Sequence, residues 1–293
     1  MQTELFFLEF TLTNYCNETC EYCDLASTFK NHSTKVEADL DKFKWIINSL
    51  DTNNLYIELC GGEPGLVSNL PDFIDFINSC DKVKKTQLMS NGLVRAIHPE
   101  LIERVDHYNE HIIKNIEYKH INKFYNLPFE FRKNTRYVVV LDYYTTYALY
   151  YNFDHWKEFG LFNESNFWLK NYVDRTNPIH HKHKELLFLL YDKINTSYAK
   201  YSAAQLSNEN EIARTVCKKI SFLPVINLET DKIIHCAYHN FTSQLEKELT
   251  QENLSLLLTK RLFFNDNPSY CENCHLYFDD YKFLLSNNKA NRK

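Results

Sequence analysis

Apolar residues along the first half of the chain fall into short β-prone runs separated by longer amphipathic stretches. Strand-like runs occupy Phe6 to Thr13, Leu55 to Cys60, Thr86 to Met89 and Tyr137 to Leu141, with helical periodicity over Leu40 to Leu50 and Leu70 to Cys80. This alternation predicts parallel βαβ units and an α/β fold. Asp39 or Asp41 is placed to open the first helix, and Pro71 with Asp72 the second. The stretch Ile112 to Tyr118 reads as a further strand. From Tyr143 to Asn210 the sequence is aromatic and polar without a clean period, and a solvated loop is expected around His180, His181 and His183. Farther on, Phe222 to Leu228 and Lys232 to Cys236 flank Glu229-Thr230-Asp231, the pattern of a β-hairpin. The tail from Ser286 to Lys293 is polar.

Composition narrows the class. A 44% hydrophobic fraction over 293 residues is enough to bury a sizeable core. The net charge is -5, and the basic residues are scattered instead of forming a phosphate-tracking stripe, so nucleic acid is not expected as a partner. The first ten residues carry two acids and no basic leader, which predicts neither a signal peptide nor a membrane span and points to a cytoplasmic protein. Nine cysteines without a secretory signal favour metal or catalytic use over a disulfide framework. There are only five glycines, and four of them (Gly61, Gly62, Gly65 and Gly92) directly follow two of the strand-like runs. Turns at the ends of successive strands are where α/β proteins place ligands.

Two cysteine constellations stand out. Cys16, Cys20 and Cys23 follow the first strand in the spacing C-x3-C-x2-C. Three thiolates on a four-iron cluster leave one iron open to a non-protein ligand. Cys217, Cys236, Cys271 and Cys274 follow the order C-x18-C-x34-C-x2-C, a closed set of four thiolates. That set suits either an iron-sulfur cluster or a structural zinc ion.

The first cysteine loop, Gly61-Gly62-Glu63-Pro64 after the second strand and Ser90-Asn91-Gly92 after the third together resemble the radical S-adenosylmethionine superfamily. The resemblance implies an incomplete (β/α)6 TIM-like barrel, with a 4Fe-4S cluster on Cys16, Cys20 and Cys23. Its open iron would bind S-adenosylmethionine, whose reductive cleavage yields methionine and a 5'-deoxyadenosyl radical. It further implies that Gly61 and Gly62 approach the methionine closely, that Glu63 accepts from its ammonium and that Pro64 fixes the turn. Tyr22 would pack near the adenine, and Ser90 and Asn91 stand where the family has Thr-Asn. Val138 to Asp142 lacks the glycine-containing motif common on the fifth strand, which leaves the ribose contacts unassigned.

The four late cysteines resemble the Twitch/SPASM subclass, the shorter Twitch form in particular. This implies a barrel over 1–210, a small auxiliary-cluster domain of hairpin plus helix over 211–285 and a tail over 286–293. The subclass often has glycine where Asp231 stands, and aspartate tolerates left-handed backbone better than most residues. By two-residue alternation Glu58 and Cys60 point into the barrel, Glu58 as a substrate contact and Cys60 as a candidate hydrogen-atom donor; Asp142 ends a strand at the expected rim. Cys80 reads as core. The expected reaction is oxidation or rearrangement of a small molecule, with a flavodoxin- or ferredoxin-type reductant. Modification of a ribosomally made peptide is the alternative, set second because no peptide-recognition domain precedes the first strand. A non-catalytic metal-bound structural or sensor protein is the third reading.

Overall fold

In this computed structural model the residues described are 5–18, 20, 35–112, 134–158, 160, 167–171, 181–194, 224–234 and 246–258. Six strands, β1 (Phe6–Thr11), β2 (Leu55–Cys60), β3 (Val83–Ser90), β4 (His107–Ile112), β5 (Thr135–Leu141) and β6 (Phe167–Asn171), lie side by side in chain order and all parallel. β6 does not return to β1, so the barrel is open. β4 ends at Ile112, the first residue of the stretch Ile112 to Tyr118 expected as a strand, and the rest of that stretch lies outside the described residues; His107, Asn109 and His111 are polar on one face and hide the period of β4.

Helices α1 (Leu40–Ser49), α2 (Leu70–Ser79), α3 (Leu93–Ile97), α4 (Tyr143–Tyr151), α5 (Phe153–Glu158) and α6 (His181–Ile194) complete the first layer. Asp39 caps α1 by accepting from the amides of Asp41 and Lys42 at 2.8 and 3.1 Å. Pro71 stands in the first turn of α2, where its missing N–H has no helical partner to lose. Phe43, Ile46 and Ile47 of α1 and Phe73, Ile74 and Ile77 of α2 bury against Leu8, Phe10, Ile57 and Leu59. Burying side chains of this kind stabilises by roughly 1.5–3 kcal/mol each. Cys80 closes α2 and packs partly buried against this core. A second core joins Tyr137, Val139 and Leu141 to Leu149, Trp156, Leu187, Leu190 and Tyr191.

The hairpin forms as β7 (Val225–Asn227) and β8 (Lys232–Ile234), followed by β9 (Glu246–Glu248) and α7 (Gln251–Leu258). β7 pairs parallel with β1, making one nine-stranded sheet in the order β6-β5-β4-β3-β2-β1-β7-β8-β9. Ile226, Ile233, Leu254 and Leu257 belong to the same core as α1 and α2. Residues 224–258, expected to sit in a small domain of their own, therefore continue the barrel's sheet and core where they are described. His183, expected in a solvated loop, is buried on α6 and shares a 3.2 Å hydrogen bond with Thr146 Oγ1. No helix among the described residues is long and apolar enough to cross a membrane.

Candidate active site

The C-terminal ends of β1, β2 and β3 deliver three loops to one place. Leu12 donates to the Cys60 carbonyl at 2.9 Å, Gly62 to that of Thr13 at 2.8 Å and Glu63 to that of Tyr15 at 2.9 Å. The Gly-Gly turn thus runs along the segment that leads into Cys16. A Cβ on Gly62 would stand 2.0 Å from the Tyr15 carbonyl oxygen. Gly61 has φ of 131° and would place a Cβ 2.8 Å from the Thr13 oxygen. Both glycines are required by backbone meeting backbone inside the protein, a different constraint from the expected close approach to a methionine.

Glu63 is 1% exposed and faces inward. Its Oε1 accepts from the Gly65 amide and from Ser90 Oγ, both at 2.9 Å, and its Oε2 from the Asn91 amide at 2.7 Å. Burial raises its carboxyl above the usual carboxylate value, and the three donors oppose that shift. Oε2 accepts one donor here and has capacity for a second, the position that the expected methionine ammonium would take. Pro64 follows in a short 3-10 turn, Pro64–Leu66. Ser90 Oγ in turn accepts from Gly92 and Val94 at 3.0 and 3.2 Å.

Cys16 and Cys20 are half-buried. Cys16 Sγ accepts from the Glu18 amide at 3.4 Å and from Asn91 Nδ2 at 3.7 Å. A sulfur that gathers N–H donors suits a thiolate ligand, so the donor set fits an iron-sulfur cluster. Tyr22, Cys23, Cys217, Cys236, Cys271 and Cys274 lie outside the described residues.

Beneath these loops, Glu58 and Cys60 face the sheet side opposite the helices, as two-residue alternation predicts, since Ile57 and Leu59 lie in the helix-side core. Alternation along β1 places Glu9 beside them, and the Cys60 thiol donates to Glu9 Oε1 at 3.0 Å. The ligand atoms of Glu9, Glu58 and Cys60 lie within 4.8 Å of one another. Burial first, then the Glu9 and Glu58 carboxylates, pushes the Cys60 thiol well above its ordinary pKa. Gln87 Nε2 donates to Glu58 Oε2, and Gln87 Oε1 accepts from the Tyr56 hydroxyl at 2.8 Å. Register carries this polar face on through His107, Asn109 and Arg136. Burial and then Arg136 hold His107 down at about 4. Glu9, Gln87, Asn109 and Arg136 were legible only through the alternation, applied to every strand instead of β2 alone. Asp142, expected as a catalytic group, caps α4, with Oδ1 accepting from the Thr145 amide at 2.6 Å.

AlbA of Bacillus subtilis, a protein of subtilosin bacteriocin biosynthesis, is 29% identical over 127 residues, 43% of this chain and 27% of AlbA. A probable GTP 3',8-cyclase of Methanococcus maripaludis is 31% identical over 84 residues, 29% of this chain and 28% of the cyclase. These matches accompany the cysteine loop, the Gly-Gly-Glu-Pro turn and the Ser-Asn-Gly turn, which assemble at one end of six parallel strands. In sequence and fold the chain is similar to the radical S-adenosylmethionine superfamily. The match spans less than a third of either curated relative's length. No family model matches the chain.

Solved radical S-adenosylmethionine structures share the fold. Streptococcus suis SuiB bound to S-adenosylmethionine superposes with a TM-score of 0.58 at 15% identity, covering 91% of this chain and 67% of SuiB. SuiB bound to its precursor peptide SuiA gives 0.59 at 14%, covering 92% and 70%. The anSMEcpe protein with bound AdoMet and the Cp18Cys peptide gives 0.57 at 10%, covering 92% and 87%.

Proposed function

We propose that this protein is an enzyme that reductively cleaves S-adenosylmethionine and uses the resulting radical to modify a peptide. The observation that carries the first half is the convergence of the Cys16 loop, the Gly61 to Pro64 turn and the Ser90 to Gly92 turn at the C-terminal ends of β1 to β3. Cys16, Cys20 and Cys23 would hold a 4Fe-4S cluster, which when bound supplies the electron for cleavage of the sulfonium. Tyr22, Gly61, Gly62, Pro64, Ser90 and Asn91 form the rest of the cofactor site, with Glu63 holding their backbone in place. Glu58 contacts the substrate from the polar face of the sheet. Cys60, kept as a thiol, can hand its hydrogen atom to a substrate carbon radical: the S–H bond breaks, a C–H bond forms and a thiyl radical remains at Sγ.

For the substrate, the order of the two readings reverses. SuiB is solved with a precursor peptide, anSMEcpe with a peptide, and AlbA serves bacteriocin biosynthesis, which together favour a peptide over a small metabolite. The small-molecule reading retains the GTP 3',8-cyclase match in its support. An auxiliary 4Fe-4S cluster on Cys217, Cys236, Cys271 and Cys274 would take the substrate's second electron, and a flavodoxin- or ferredoxin-type protein would supply the first.

Anaerobically reconstituted and reduced protein should convert S-adenosylmethionine to 5'-deoxyadenosine. Replacing Cys16, Cys20 and Cys23 together with Ala should abolish this, and cleavage that survives the triple replacement would defeat the assignment. Co-expression with a candidate precursor peptide should change that peptide's mass. An unchanged peptide, together with consumption of a nucleotide or other small metabolite, would return the substrate to the small-molecule reading.

A further inference from the structure

The loop that carries Cys16 and the turn after β3 are joined by a chain of hydrogen bonds whose direction is determined at every link. Glu63 Oε2 accepts the Asn91 amide, and its Oε1 accepts Ser90 Oγ and the Gly65 amide. These bonds hold the Asn91 backbone in place. Asn91 Oδ1 then accepts from the Leu93 amide at 3.3 Å, so the other end of its side chain, the NH2 group, must face the cysteine loop. That NH2 has two hydrogens and two acceptors before it: Asn17 Oδ1 at 2.8 Å and Cys16 Sγ at 3.7 Å.

We propose that Asn91, held by Glu63, is a hydrogen-bond donor to the Cys16 ligand that sets the reduction potential of the cluster bound there. The inference rests on the cluster assignment made above. A reduced cluster carries one more negative charge than an oxidised one, and its sulfurs share that charge. An N–H dipole aimed at a ligand sulfur therefore stabilises the reduced form more and raises the potential. Asn91 is the group that touches the ligand; Glu63 acts through it as a positioning residue. Three donors on a carboxylate that is 1% exposed leave the Asn91 backbone little freedom to move the amide away from the sulfur.

Midpoint potentials of the reconstituted cluster, followed by electron paramagnetic resonance in a redox titration, test this without any turnover. Asn91→Ala should shift the midpoint to more negative values. Asn91→Asp keeps an acceptor for the Leu93 amide but replaces the donor by a negative charge, and should shift it further in the same direction. Glu63→Gln should shift it by less than Asn91→Ala. In a double-mutant cycle Glu63→Gln should add nothing once Asn91 is Ala, because its effect passes through that residue. If Glu63→Gln does not load a cluster, Ser90→Ala takes its place in the cycle, since Ser90 Oγ bridges Glu63 to the start of α3. Fully loaded Asn91→Ala and Asn91→Asp proteins with the wild-type midpoint would overturn the inference alone. A wild-type chain that binds no cluster would overturn the assignment beneath it as well.

Discussion

Cys60 is buried beside two carboxylates, and its proton is held by that surrounding. The thiolate is the reactive form of cysteine, so a thiol kept protonated resists alkylation. In native, metal-free protein at about pH 8, iodoacetamide should label Cys16 and Cys20 and spare Cys60, read by peptide mass spectrometry. Labelling of Cys60 at the rate of the loop cysteines would show that its burial is wrong. The sign of the pH effect follows from the same shift. An unfolded cysteine loses its proton near about 8.5, whereas folded Cys60 keeps it, so the folded state binds more protons above that value. The stability contributed by Cys60 is fully present below about pH 8.5 and is lost as the pH rises toward its folded value; Cys60→Ala should flatten that decline. Glu58 and Cys60 were legible from the two-residue period of β2. The hydrogen bond to Glu9 was not, because a single strand's pattern does not say which strand stands beside it or in what register.

At the scale of elements, the hairpin turn is the most exacting local feature. Asp231 has φ of 56°, the left-handed region, and its carbonyl accepts from the Leu249 amide at 2.8 Å where β9 ends. Its carboxylate also pairs at the surface with Lys42 of α1 at 2.5 Å. A β-branched residue cannot adopt this backbone without strain, so Asp231→Val should destabilise the protein by about 1–2 kcal/mol. Asp231→Gly should be close to neutral: relief of the left-handed cost offsets loss of an exposed pair, itself about 0–1 kcal/mol. Urea midpoints measure both, and a harmless Asp231→Val would show that the turn has another conformation. The hairpin and the tolerance of its aspartate were readable from residue types alone. Its pairing with β1 was not, since more than 200 positions separate the partners and a three-residue strand such as Val225 to Asn227 carries no sign of its neighbour. The two main helices and the four strand-like runs that became β1, β2, β3 and β5 were readable because their periods are clean. β4 and β6 hid behind polar or aromatic lumen positions.

For the whole molecule, the shared sheet brings the hairpin up against the cofactor end of the barrel. The turn after β7 stands beside the Cys16 loop, where Asn14 Nδ2 donates to Glu229 Oε1 at 3.1 Å. The opposite end of the hairpin lies lower: Val225 and Ile234 are paired, level with Glu9 of β1. Cys217 precedes the hairpin in the chain and Cys236 follows it, both outside the described residues. A metal site built on those cysteines with Cys271 and Cys274 would be anchored through β7 to the strand that presents Cys16. Such a connection serves electron transfer if the site holds iron and sulfide, and serves only as a staple if it holds zinc, which has no redox chemistry. Metal analysis of anaerobically reconstituted protein separates the two. Two 4Fe-4S clusters require about eight irons and eight sulfides per chain, whereas a zinc staple leaves about four of each and one zinc. We expect the larger count. Replacing the four late cysteines with Ala should then lower it by half and stop modification of the substrate while sparing cleavage of S-adenosylmethionine, because Cys16, Cys20 and Cys23 are untouched. Native protein with one cluster and stoichiometric zinc would remove the electron-transfer role of this site and leave the radical chemistry at Cys16, Cys20 and Cys23 in place.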